Sequence, residues 1–410
     1  MSIDHHLEQS RPVLVVGAGP IGLTAALALR SLGIPATVIE AEPKGRMRPG
    51  SRAIYFHKAT LSHLEEISPG LGYTYAKNGI VWPVKRTLFG GKEVYVKHYP
   101  APNPTDLPPF ASLPQVEAER FLYEACLKAG VEFIWDSPVT DVEANDKGVT
   151  VTTERGTKWS CHYLIGADGA RSTVRKAVGI EFEGPRSNDF FLVVDVLEDT
   201  EAPLPLERVF HYKHPTMGGR NVLFVPFAGG WRVDLQLLEG DNPEEFGGVS
   251  GVRQWLPKVM DEKYADRISW VSTYQFHQVV AKSFADVSCR VLLAGEAAHL
   301  FAPFGARGMN SGVPDAILAA RAIRTALDAS DPETARKAIM EAAEERKIAA
   351  QYNRDCAGIA LEHIQGNSPA MGMKREIAAS LSSILPRLGR WLDEGPYGPK
   401  SGPPQLTTKY

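Results

Sequence analysis

Residues 12–42 read PVLVVGAGPIGLTAALALRSLGIPATVIEAE, and this stretch decides the fold. Val13 to Val16 is a short apolar run rich in β-branched residues, the composition of a buried parallel strand. It runs directly into Gly17-Ala18-Gly19-Pro20-Ile21-Gly22. Leu23 to Leu32, rich in Ala and Leu, predicts a helix with Gly33 just beyond its end. A second apolar run, Ala36 to Ile39, closes on the acid Glu40, followed by Ala41. Gly17 permits the tight turn, Gly19 lets the backbone approach a pyrophosphate, and Gly22 lets helix and strand meet closely. The helix N-terminus offers unpaired N–H groups to phosphate oxygens, and Glu40 stands where a ribose diol is recognised. Strand, glycines, helix, strand and acid occur in the order and spacing of a dinucleotide-binding βαβ unit.

The rest of the chain is that of a globular protein. Its 410 residues predict two or three units, and 44% hydrophobic with 23% charged residues excludes a disordered chain. A net charge of −3 gives no electrostatic case for nucleic acid or an anionic membrane. No window has the ~18 uninterrupted apolar residues of a membrane span, and MSIDHHLEQS lacks a secretory h-region. His5 and His6 read as a solvated tail. Cys126, Cys161, Cys289 and Cys356 are scattered, with no CxxC pair, so neither a zinc site nor a disulfide framework is expected and no metal is assigned. A reducing, cytoplasmic setting follows.

Beyond Glu40 the loop Pro43 to Ser51 carries Arg46 and Arg48, with Arg52 next to it; Ala53 to Glu66, bearing His57 and His63, predicts a helix. From Tyr73 the character changes to short β-like runs, and residues 100–109 hold five prolines, which excludes a helix there. Val116 to Ala129 predicts a helix, Val139 to Thr153 a hairpin, and Trp159 to Ile165 another buried strand ending in Gly166-Ala167-Asp168-Gly169. Between Ile180 and Val280 apolar and polar residues alternate, predicting an antiparallel sheet with one exposed face. A third buried strand, Arg290 to Ala294, runs into Gly295-Glu296, and helices dominate from Val313 onward, with an irregular tail from Glu394. The expected units are 1–72 with 111–180 and 278–350 for the dinucleotide, 73–110 with 181–277 for a β-sheet substrate domain, and 351–410 for C-terminal helices and tail. Three apolar strands thus end in glycine-rich, acid-bearing turns. In an open α/β sheet, strand C-termini are where ligands bind, and three such turns imply one large ligand.

GAGPIG, SRAIYFHKATLSHLEE, GADGARSTVR and LLAGEAAHLFAPFGARGMNSG together resemble the group A flavoprotein aromatic hydroxylases, the family of para-hydroxybenzoate hydroxylase and phenol hydroxylase. The resemblance covers most of residues 10–350. It implies an α/β fold with a Rossmann-type FAD-binding domain, an antiparallel substrate-domain sheet and C-terminal helices. It also implies FAD contacts from Gly17, Gly19, Pro20, Ile21, Gly22, Glu40, Ala41, Arg52 and Gln115, and a role for Asp168 toward both FAD and NAD(P)H. Gly295, Glu296, Pro303, Gly305, Ala306, Gly308, Met309 and Asn310 correspond to the ribityl- and ring-lining motif. Two residues depart from the family pattern: Glu296 replaces the usual Asp, and Ala306-Arg307 interrupts the glycine-rich loop.

The implied activity uses NADH or NADPH and O2 to hydroxylate a phenolic or N-heteroaromatic small molecule through a flavin C(4a)-hydroperoxide. The expected assembly is a monomer or homodimer without stable membrane association. Candidates for orienting and deprotonating the substrate are His211, Tyr212, His214, Arg220, Tyr274 and His277, all in the alternating region; His299 reads as structural. The WxWxIP segment of flavin-dependent halogenases is absent. Ring-opening, epoxidising or Baeyer–Villiger oxygenation, or a non-catalytic FAD-binding protein, are the alternatives. Gly19→Val is expected to abolish flavin retention by excluding the pyrophosphate; a purified variant that stays fully yellow would contradict this placement.

Overall fold

A computed structural model describes residues 7–46, 49–103, 105–366 and 368–399; Arg48, the two N-terminal histidines and the tail beyond 399 lie outside this range. Strand β1 (Leu7–Val16), helix α1 (Pro20–Ser31) and strand β2 (Ala36–Ile39) form the expected βαβ unit. Helix α1 begins three residues ahead of the Leu-rich run because Gly19 is its N-cap and Pro20, whose fixed φ suits a first turn, opens it. Val13, Leu14, Val15 and Val38 are fully buried, each contributing about 1.5–3 kcal/mol by leaving water.

β1 lies between β2 and the strand Lys158–Gly166, which pairs in parallel with Val291–Leu293. The register sets Val16 beside Ile39 and Gly166, and Gly166 beside Leu293, so four parallel strands end flush at one edge. Glu132–Ile134 adds a fifth parallel strand beyond β2, and the hairpin Val139–Asn145/Gly148–Thr153 closes the other side antiparallel.

Missing side chains let the turns at that edge touch. A Cβ on Gly17 (φ +101°) would lie 2.5 Å from the carbonyl oxygen of Ala167, and one on Gly22 would lie 1.8 Å from that of Gly17. Ile21 sits in a slot between Gly295 and Gly312, where added Cβ atoms would come within 2.8 and 2.6 Å of its side chain.

The second large sheet runs Ile268–His277, Arg186–Leu197, Gly230–Gln236, Val222–Phe227, Glu207–Tyr212, Val84–Phe89, Lys92–His98. Its pairs are antiparallel except Glu207–Tyr212 with Val84–Phe89, a parallel pair that the alternation alone did not reveal. The strands Val84–Phe89 and Lys92–His98 reach it from upstream of residue 100, across the proline-rich segment. One face packs an apolar layer of Leu192, Val194, Val233, Leu235, Met217, Val222 and Trp255. The other face, expected to meet solvent, is covered by the loop at Phe304 and by the C-terminal helices. Those helices are Pro332–Gln365, Pro369–Leu381 and Pro386–Glu394, whereas Arg307–Asp328 packs into the core of the first sheet. None of the described helices is long and apolar enough to cross a membrane.

The helix Arg307–Asp328 is locked to the third turn by Asp315, which is fully buried. One carboxylate oxygen accepts from the Gly295 N–H at 3.1 Å and binds His299 Nε2 at 2.7 Å; the other accepts from Arg346 Nε at 2.7 Å. Burial alone would raise the pKa of Asp315, but Arg346 and His299 outweigh it and hold the carboxyl below its ordinary range. Asp315→Ala leaves the buried Arg346 cation and the Gly295 N–H without their partner and is expected to cost roughly 3–5 kcal/mol. A urea-unfolding free energy within about 1 kcal/mol of the parent would contradict this.

Candidate FAD site

At the first turn, Glu40 is almost completely buried at the end of β2. It accepts from the Ala18 N–H at 2.5 Å and the Glu42 N–H at 3.0 Å, and Arg46 Nη1 lies 2.7 Å away. Burial pushes its pKa up, but these donors and Arg46 more than offset that, so the group is an anion at neutral pH. Oε1 accepts one of these described bonds, which leaves acceptor capacity for a hydroxyl. Arg46 also donates to the Ala18 carbonyl at 2.7 Å, so its guanidinium spans the turn. Arg46 had no assigned role from sequence; its place in a polar loop six residues after Glu40 was the available signal. The first N–H groups of α1, at Ile21 and Gly22, precede the first intrahelical bond, Leu23 N–H to Gly19 O, and remain available to an anion.

Arg52 is exposed and adopts φ +48°. Its two neighbours are clamped. Ser51 donates its N–H and Oγ to Asp195 at 2.6 and 2.7 Å, while the Ala53 N–H reaches Gln115 Oε1 at 3.2 Å. Gln115 therefore sits behind the Arg52 turn and shapes it.

Asp168, at the second turn, has both oxygens engaged in opening the helix Thr173–Ala177, by Ser172 Oγ at 2.5 Å and the Val174 N–H at 3.0 Å. Arg175 of the same motif reaches the third turn, donating to the Ala297 carbonyl at 3.1 Å. Within that third turn Gly295, Ala297 and Ala298 are buried and Glu296 is exposed. His299 stacks on Phe301 with centroids 4.4 Å apart and binds Asp315, a structural histidine.

The loop that follows is shaped by three devices. Ala306 takes φ +53° as the N-cap of the helix Arg307–Asp328. Asn310 spends its amide on the carbonyls of Tyr55 and Ala306 and accepts from the His57 N–H and Thr60 Oγ. Arg307 turns its charge away from the loop, onto Asn353 Oδ1 and the carbonyls of Tyr397 and Pro399, at 2.8–3.0 Å. A Cβ on Gly308 would meet nothing within 4 Å, so the backbone there is open to a ligand.

The covered face of the second sheet forms the opposite wall. Cross-strand pairing aligns Arg208, Val225, Arg232, Asp195 and Trp270 in one row; Phe210, Leu223, Asp234 and Val193 in the next; and Tyr212, Asn221, Gln236, Phe191 and Tyr274 in a third. A cleft between this face and the loop is lined by Phe191, Phe210, Asn221, Leu223, Asp234 and Phe304. Tyr274 lies on this wall, within electrostatic reach of Arg232, Arg52 and Glu296; burial raises its pKa although the two arginines oppose it. Tyr212 shares the wall but donates its hydroxyl to the Leu392 carbonyl at 2.8 Å.

His211 and His214 lie elsewhere. His211 points off the wall, accepts from the Gly91 N–H at 3.0 Å and stacks near His214; burial and His214 push its pKa down to about 4. Arg220 forms a two-pronged pair with Asp241, and His277 ends its strand with Nδ1 buried and unpartnered. The wall's own charged residues, Arg208, Arg232 and Asp234, were not singled out from sequence. In Trp231-Arg232-Val233-Asp234-Leu235-Gln236 the alternation was legible, but it does not say that another domain covers the polar side.

Comparison with known proteins fits this geometry. The model of the family described as "FAD binding domain" matches residues 10–354. The chain is 30% identical over 319 residues to para-nitrophenol 4-monooxygenase of Pseudomonas sp. (strain WBC-3), covering 74% of this chain and 75% of that protein. It is 28% identical to the 12-dehydrotetracycline 5-monooxygenase/anhydrotetracycline 6-monooxygenase of Streptomyces rimosus, over 74% of this chain and 61% of that one. The crystal structure of a p-nitrophenol 4-monooxygenase from Pseudomonas putida superposes with a TM-score of 0.76 at 24% identity, covering 96% of this chain and all of that one. The chain belongs to the FAD-binding family of aromatic monooxygenases, and FAD is its cofactor.

Asp234 provides a test of the wall's electrostatics. Burial raises its pKa to about 7 from an ordinary 3.8, with Arg232 and Arg208 pulling it down and Asp195 pushing it up. Between those values the folded chain holds a proton that the unfolded chain has lost, so stability falls as pH rises through that window. Asp234→Asn is expected to raise the thermal midpoint by a few degrees at about pH 8, with the gain vanishing near pH 4. An unchanged midpoint at both pH values would contradict the burial of an ionised Asp234.

Proposed function

We propose that this chain hydroxylates a small phenolic or N-heteroaromatic compound, using NADH or NADPH and O2. FAD, when reduced, supplies the activation of O2 for transfer to an aromatic ring. The protein's part is to bind, orient and exclude water. In this reading Gly17, Gly19, Pro20, Ile21 and Gly22 line the pyrophosphate, while Glu40 and Ala41 hold the adenosine ribose, with Arg46 beside them. Arg52 and Gln115 flank the cofactor's middle. Gly295 and Glu296 meet the ribityl chain, Glu296 from one methylene further than an aspartate. The N–H groups at Gly308 and Met309, which open a helix, face the ring's electron-rich edge and favour negative charge there. Pro303, Gly305, Ala306 and Asn310 give that loop its shape, and Asp168 supports the site by fixing the helix that carries Arg175.

The observation that carries the proposal is the cleft between Phe304, on the loop after the third turn, and the sheet wall at Phe191, Phe210 and Leu223. As it stands the cleft has room for one water molecule, about 10 Å³. Once Phe304 or its neighbours move aside, aromatic and aliphatic walls suit a flat ring, and a few polar groups orient it. The likeness to para-nitrophenol 4-monooxygenase supports a substrate of that size. In this reading the units are 1–72 with 111–180 and 278–350 around FAD, 73–110 with 181–277 as the wall, and 351–410 as C-terminal helices and tail.

The test is a screen of phenols and hydroxylated N-heterocycles against the yellow purified enzyme. NAD(P)H oxidation is expected to accelerate several-fold with at least one compound, giving a product one oxygen atom heavier. A yellow enzyme whose NAD(P)H oxidation no phenol alters would contradict the proposal; a ring-opened product would replace hydroxylation with its oxygenase alternative.

A further inference from the structure

Asp234 sits in the middle strand of the wall, flanked across the sheet by Leu223 and Val193 and lining the cleft with Phe191, Phe210 and Phe304. Its side chain keeps only 16% of its surface, and Oδ1 is buried with no hydrogen-bond partner. A buried carboxylate without a donor is costly, and native structures keep few of them. The contrast with Asp195, one residue pair away, is informative. Asp195 accepts from the Ser51 N–H and Oγ at 2.6 and 2.7 Å and has Arg232 Nε at 3.7 Å. Asp195 is satisfied by the fold; Asp234 is not.

The charged groups facing Asp234 come from three strands: Arg232 from its own, Asp195 from Arg186–Leu197 and Arg208 from Glu207–Tyr212. Arg232 Nε lies 4.0 Å from Asp234 and has no hydrogen-bond partner, although Nη2 is held by Ser51 Oγ at 2.5 Å. Arg208 is 4% exposed and its Nη1 is unpartnered. The cleft is therefore lined by one acceptor lacking a donor, and two guanidinium groups with donors to spare act on it from the same wall. A phenolic hydroxyl complements that set: its hydrogen serves the carboxylate and its oxygen serves the guanidinium groups.

We propose that Asp234 takes the phenolic proton of the substrate, and that Arg232 and Arg208 hold the phenolate so formed. The O–H bond of the substrate breaks, an O–H bond forms on the carboxylate of Asp234, and no electrons leave or enter. Negative charge passes from a poorly solvated carboxylate to an oxygen beside two cations, and the ring becomes richer in electrons where oxygen is to be added. The carboxyl, raised to about 7 by burial, is matched to proton exchange near neutral pH. This assignment rests on the aromatic-hydroxylase reading above.

The experiment uses the FAD-loaded enzyme with 4-chlorophenol at about pH 8, below the ~10 typical of a simple phenol, so that the free probe is neutral. The ultraviolet difference spectrum of the wild-type complex is expected to show bound phenolate. Asp234→Asn, retaining flavin, is expected to bind the neutral phenol. Infrared difference spectra of the wild type give a second readout that needs no variant: a protonated-carboxyl C=O band should appear with 4-chlorophenol and not with 4-chloroanisole, which has no proton to give. Equal phenolate fractions in wild type and Asp234→Asn, or a bound phenol without the new carboxyl band, would overturn the role of Asp234 and leave the hydroxylase reading intact. If no phenol in the screen alters the enzyme's NAD(P)H oxidation, the hydroxylase reading falls and takes this proposal with it.

Discussion

The structure depends on backbones approaching where side chains are missing. Gly17 meets Ala167, Gly22 meets Gly17, and Ile21 fills the slot left by Gly295 and Gly312. Each approach is closer than a Cβ would allow; the first and third join turns far apart in the chain, and the second tightens the first turn itself. The flush ends of four parallel strands bring the turns to one edge, and the glycines let them close on it. A long ligand laid along that edge touches all three.

The second constraint is electrostatic. A sheet that carries Asp195, Asp234, Arg208 and Arg232 on one face would ordinarily turn that face to water. Here the cofactor-side loop and the C-terminal segment cover it. The rings of Phe210 and Tyr397 flank the Arg208 guanidinium at 5.4 and 5.1 Å, and Arg307 anchors the Tyr397 and Pro399 carbonyls. The protein accepts the desolvation of several charges on this face. Asp195, Ser51 and Arg232 offset part of that cost among themselves.

Much of this was legible in the sequence because it is local. Gly17 to Gly22, the strand ending at Glu40 and the strand ending at Gly295 announce themselves by spacing alone, and Ala36–Ile39 agrees residue for residue with the expected strand. The helix expected from Val313 begins at Arg307, since left-handed Ala306 caps it without a conventional capping side chain. The helix expected over Ala53 to Glu66, by contrast, starts only at Lys58, because Tyr55–His57 pairs as a strand with Phe110–Ser112. What sequence could not show is which face of the second sheet is covered. Arg232 and Asp234 alternate with Trp231 and Val233 as exposed residues would, and the covering element at Phe304 lies about 70 residues downstream. For the same reason His211 and His214 drew attention through their chemistry, while strand parity turned His211 toward the other side and His214 lies beyond the strand's end.

The most direct test of the account is the electron density of FAD in a crystal of the loaded enzyme. One extended molecule is expected, whose adenosine ribose meets Glu40, whose pyrophosphate lies over the first turn of α1, and whose ring stands between Gly308 and the wall bearing Asp234. Density placing the cofactor away from the edge shared by Gly17, Ala167 and Gly295, or a ring buried where it cannot face the sheet, would contradict it.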